Sequence, residues 1–175
     1  MTYLEAHHFE GSRTEKFLLK VSMEGEIFGV GLFETMAEMY PEHYEPLKAC
    51  AAMEQFNIDY CESFARDAGV HVSEKKAEKL RKMGEKYARK HDFEGVAKDA
   101  IRETPAADKL YEHLAKGART PELKTLGEDL YKHENALRDW LRSALNGESD
   151  GGAEVFAYLE RHGITRQQVL APRSA

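Results

Sequence analysis

Apolar positions recur at three- and four-residue spacing through most of the chain, and no segment combines period-two alternation with β-branched enrichment, so the pattern predicts an all-α protein. The first stripe is Leu19, Ser22, Glu26, Gly29 or Val30, Phe33 and Ala37, on a helix expected to start at Ser12 to Thr14 and to run to Met39, where Tyr40-Pro41 stops it. The second stripe is Leu47, Cys50, Ala51, Glu54, Ile58 with Asn57, Cys61 and Ala65. Its helix is expected from Glu45-Pro46 to a C-terminal cap at Gly69. A third core helix is predicted from Asp92 to Lys116, ending at Gly117, with stripe Val96, Ala100, Glu103, Ala107, Leu110 and Leu114; Pro105 inside it should kink it or force a bulge. The fourth is delimited by the cap Thr120, by Pro121 and Glu122 in its first turn, and by Asn146-Gly147 at its end. Its stripe is Leu126 with Gly127, Leu130, Glu134, Leu137, Leu141 and Leu145.

Between the second and third core helices, Ser73 can cap a lysine-rich helix reaching about His91, with too few apolar positions for a place in the core. It reads as a crossover carrying the chain to the other end of a bundle. The expected organisation is a tail over 1–11, a four-helix bundle over 12–147 with its crossover at 70–91, and a C-terminal part over 148–175 holding a short helix from Ala153 to His162, with room for one more turn from Thr165. Leu32-Phe33 followed by Met36-Ala37 parallels Leu110-Tyr111 followed by Leu114-Ala115, a loose repeat that favours two helical hairpins.

Four glutamates, Glu26, Glu54, Glu103 and Glu134, fall near the midpoints of the four core helices and on their apolar stripes. Midpoints share one level whichever way each helix runs, so the four carboxylates are expected to converge in one layer. Ionised carboxylates gathered there must protonate, meet a base or bind a cation, and iron or manganese suits an oxygen-rich site.

Composition narrows the partners. With 42% apolar and 32% charged residues, the 175-residue chain suits one globular domain, and its net charge of -6 argues against nucleic acid or an anionic membrane. No apolar run is long enough for a membrane span and the start is polar, which points to the cytoplasm. The basic stretch Lys75 to Lys90 reads as a solvated helix face. Cys50 and Cys61 sit too far apart on one helix to bridge, so both read as reduced, buried thiols.

Gly25-Glu26 followed by Gly29, Phe33, Met36 and Ala37, together with AIRETPAADKLYEHLAKGARTPELKTLGEDLYKHENAL in the second half, resembles the ferritin-like di-iron carboxylate proteins, the rubrerythrin branch in particular. The resemblance implies a ferritin-like antiparallel four-helix bundle, iron or manganese as one or two ions, and oxygen- or peroxide-dependent redox activity. It makes Glu26 and Glu103 terminal ligands and Glu54 and Glu134 bridging ones. In the family each bridging glutamate is followed three residues later by a histidine; here those positions hold Asn57, which can offer an amide oxygen as a fifth donor, and Leu137, which cannot coordinate. The cysteine pairs of a rubredoxin-like electron donor are absent.

Other side chains read more plainly. His133 is expected about 100° away from Glu134 and so on the surface or at an interface, and His113 also falls off the stripe. Tyr60, Tyr111 and Tyr131 read as core aromatics, Cys50 as a small core residue beside Glu54, and Gly25 with Gly29 as a small-residue face that lets a second helix approach or leaves room beside Glu26. No strand precedes the glycines at 25–31, so they form no nucleotide loop, and no order of residues supports a nucleophilic triad. The alternative to a metal-binding bundle is a metal-free one serving as a structural or interaction protein, a homodimer in either case, with Arg138 reaching the layer as counter-charge or protonation satisfying the carboxylates.

Overall fold

The structure, a computed structural model, describes residues 7–148 and 151–171. Among these no strand occurs: the chain is a helical bundle of α1 (Arg13–Met39), α2 (Tyr44–Ala68), α3 (Glu74–Lys90), α4 (Phe93–Gly117), α5 (Pro121–Leu145), α6 (Ala153–Arg161) and α7 (Arg166–Leu170), with a 3-10 turn at Pro41–His43 between the first two. No helix is long and apolar enough to cross a membrane.

The helix ends follow from their caps. The Ser12 hydroxyl and the Glu15 carboxylate form a capping box on α1, Asp92 accepts the Gly95 N–H at 2.8 Å on α4, and Thr120 accepts the Leu123 N–H at 3.2 Å on α5. Gly69 ends α2 with φ +65°, a left-handed conformation that glycine adopts without strain. Helix α4 continues as one helix through Pro105, which lies on its exposed side.

Two apolar clusters set the direction of each helix. The lower one joins Leu19 and Met23 of α1, Cys61 and Phe64 of α2, Tyr111 and Leu114 of α4, and Leu123, Leu126 and Leu130 of α5. The upper one joins Phe33 and Met36, Leu47 and Cys50, Val96 and Ala97, and Leu137 and Trp140 of the same four helices. Hence α1 rises, α2 descends, α4 descends and α5 rises. Helix α3 links the two halves: Lys76 pairs with Glu24 near its start and Arg89 with Glu38 near its end, so it climbs outside the bundle alongside α1.

Although its face is mostly solvated, α3 meets α1 backbone to backbone. A Cβ on Gly31 would lie 2.2 Å from the Arg81 carbonyl oxygen, and one on Gly84 would lie 2.2 Å from that of Phe28. Between α1 and α3 the close-approach glycines are therefore Gly31 and Gly84, whereas Gly25 faces open space. We expect Gly84→Ala to lower the unfolding free energy by about 2 kcal/mol because the helices must separate. Gly25→Ala should raise it by about 0.5–1 kcal/mol through helix propensity alone. Urea unfolding of both variants checks the contrast, and equal effects would refute the crossing.

Candidate functional site

Between the two apolar clusters lies a polar layer. Glu26 comes from α1, Glu54 and Asn57 from α2, Tyr111 from α4, His133 and Glu134 from α5, and Tyr158 from α6. Glu26 and His133 are each 1% exposed, Asn57 and Tyr158 are fully buried, and Glu134 keeps 15% of its side chain accessible. Glu26, Glu54 and His133 each offer a donor atom within 4.8 Å of the other two. Glycine makes this packing possible, because a Cβ on Gly29 would sit 2.6 Å from the Glu54 carboxyl carbon.

Hydrogen bonds orient the layer. Tyr111 donates its hydroxyl to Glu26 Oε1 at 2.8 Å, and Asn57 donates Nδ2–H to Glu26 Oε2 at 3.1 Å. The Asn57 carbonyl in turn accepts the Tyr158 hydroxyl at 2.7 Å. His133 Nδ1 lies 2.6 Å from the Leu130 carbonyl oxygen, which can only accept, so Nδ1 carries a proton. The free nitrogen Nε2 faces Glu26 Oε2 at 3.5 Å and Glu134 Oε1 at 3.8 Å. Two lone-pair groups facing each other require a proton or a cation between them.

Electrostatics sharpen that requirement. Burial first, then the neighbouring Glu26 and Glu134 carboxyls, push Glu54 well above the usual carboxylate range. Burial raises Glu134 to about 7, with Glu26 and Asp108 adding to the rise and His133 and Arg138 opposing it. The Tyr111 hydroxyl is pushed up by burial and by Glu26. Burial and Glu54 do the same to the Cys50 thiol, which keeps it protonated.

The structure therefore differs from the sequence-based ligand set at three positions. Glu103 does not enter the layer: its side chain is 72% exposed and pairs with Arg102 Nε at 3.3 Å. Helix α4 turns Ala97, Thr104 and Tyr111 inward at heptad spacing, and Glu103 lies one residue, about 100°, outside that line. Asn57 is in the layer, but its amide oxygen is taken by Tyr158 and it meets Glu26 as a donor. His133 is at the centre instead of the surface. A signal existed for it, since Leu123, Leu126, Leu130, His133, Leu137 and Trp140 also follow a three-four repeat, with Trp140 anchoring that phase.

Arg138, the expected counter-charge, instead pairs with Asp108 Oδ2 of α4 at 3.0 Å and bonds the Asn135 side chain. Tyr60 and Tyr131 stay outside the layer as packing aromatics of the lower cluster. No protein-family model matches the chain, and neither the curated proteins nor the solved structures include one similar to it.

Proposed function

We propose that this chain is a ferritin-like bundle that binds one divalent cation, iron or manganese, among Glu26, Glu54 and His133, with Glu134 beside them. The up-down-crossover-down-up order of the core helices supports the fold, since a long crossover between two antiparallel hairpins characterises ferritin-like bundles. The observation that carries the metal is His133. Its Nδ1 is tied to a backbone carbonyl, leaving Nε2 aimed at two carboxylates in a largely buried layer.

One imidazole nitrogen with two or three carboxylates is a donor set suited to iron or manganese. With Glu103 outside, the set fits one cation better than two. Such an ion would supply redox chemistry toward oxygen or peroxide. The protein's part is to hold Glu26 through Tyr111, to keep Nε2 free, and to exclude water with the apolar clusters above and below.

A second reading has one observation in its favour. Both Glu26 oxygens already accept protein hydrogen bonds, which satisfies that carboxylate without a cation. On this reading the chain is a metal-free bundle with a structural or interaction role, held together at this layer by shared protons.

Elemental analysis of protein purified without chelators separates the two, followed by melting with added manganese(II) or iron(II). We expect close to one equivalent and a stabilisation of about 2.7 kcal/mol at a hundredfold excess over Kd. Less than about 0.1 equivalent and an unmoved melting temperature would sink the metal reading. Glu134→Leu adds a sign: it weakens binding in a metalloprotein, and it is neutral or stabilising in a metal-free bundle.

A further inference from the structure

Helix α6 reaches the layer from a distant part of the chain. Tyr158 is fully buried and lies 101 residues beyond Asn57, yet its hydroxyl is 2.7 Å from the Asn57 amide oxygen. The helix packs with both α2 and α5, and Val155, Phe156 and Leu159 anchor it in the upper cluster. Its one hydroxyl in the layer thus meets the amide from the side opposite Glu26.

An asparagine amide presents a donor at one end and an acceptor at the other, and a half-turn about its terminal bond exchanges them. The Glu26 carboxylate accepts only, which favours the NH2 group on its side. A cation in the layer would favour the amide oxygen there instead. We infer that Tyr158 locks the Asn57 amide in the donor orientation toward Glu26, so that α6 holds down the cation affinity of the layer. Tyr158 is a positioning residue in this scheme, acting on Glu26 through Asn57.

The lock rests on the proposed metal reading only for its effect on affinity. Its orientation can be followed without metal. A locked, buried amide should show slowly exchanging Asn57 Nδ2 protons in NMR spectra of the chelator-treated full chain. Tyr158→Phe, which removes one oxygen and keeps the ring, should speed that exchange at least about tenfold, in line with the loss of one buried hydrogen bond.

The second arm titrates manganese(II). Tyr158→Phe should bind it about tenfold more tightly than the parent chain, because the released amide can turn its oxygen to the ion. A merely structural role for Tyr158 predicts unchanged or weaker binding. In an Asn57→Leu background the same Tyr158→Phe change should leave affinity within about twofold, since the intermediary is gone.

Unchanged Asn57 proton exchange in Tyr158→Phe overturns the lock whatever the metal does. Faster exchange with weaker or equal manganese binding overturns the control of affinity. If neither protein binds manganese, the cation reading and the control of affinity both fall, while the exchange rates still decide the orientation.

Discussion

His133→Ala is expected to weaken manganese(II) binding at least about a hundredfold, close to 2.7 kcal/mol, while Glu103→Ala leaves it within about twofold. The contrast follows from placement. His133 is 1% exposed with Nε2 turned toward Glu26 and Glu134, whereas the Glu103 side chain is 72% exposed on the far side of α4. Removing the imidazole takes the nitrogen donor out of the Glu26, Glu54 and His133 group and leaves only carboxylate oxygens of that group to hold a cation. Isothermal titration of the two variants, each checked for a native helical spectrum, reads the difference directly. A large loss in Glu103→Ala with little in His133→Ala would restore the four-glutamate site and reject the histidine-centred one.

These two residues also mark where the sequence was legible. Helix number and helix ends were readable because they depend on short local signals: Ser12 with Glu15, Asp92, Thr120 with Pro121, and Gly69 each act within a turn of where they stand. The lysine-rich helix α3 was readable as a helix for a similar reason, with Ser73 capping its start, and its few apolar positions match a face buried only at Gly84 and Ala88. Rotational phase was harder. In α4 the line 96-100-103-107 runs by threes and fours and the line 97-104-111 by sevens, so both satisfy helical periodicity, and only the contact of Tyr111 with Glu26 decides between them. In α5 the inward face is wide enough to bury both Trp140 and Leu141, so His133 and Glu134 both approach the layer although they are neighbours in sequence.

The remaining gaps concern partners far apart in the chain. Gly31 and Gly84 are visible as glycines inside helices, but nothing local says that each faces the other's backbone. Tyr158 lies in a nine-residue helix near the end, with no feature linking it to Asn57. The Gly29 signal was closer to hand: a small residue one turn after Glu26 leaves room for a carboxylate, and the carboxylate that uses it is Glu54.

The stability of the metal-free protein should fall as pH rises from about 4.5 to about 7, by ~2–3 kcal/mol from Glu134 alone. The unfolded chain releases the Glu134 proton near 4.5, whereas the folded chain keeps it up to about 7. Between those values the folded state binds the extra proton, so each step up in pH penalises folding. Stability from this group is full below the lower value and gone above the upper one. Glu54, pushed up by burial and by Glu26, acts in the same direction. The carboxyls held low by partners, Glu15, Asp67, Glu78 and Asp99, work oppositely, but their effect belongs to more acidic solution, below the ordinary carboxylate range. Urea unfolding at pH 5, 6 and 7.5 tests this, and stability that is level or rising across that range in chelator-treated protein would contradict the buried-proton layer. Glu134→Gln should flatten much of the slope, because the amide has no proton to lose. Saturating manganese(II) should reverse it: the cation takes the place of the protons, binds the ionised carboxylates, and gains affinity as they deprotonate.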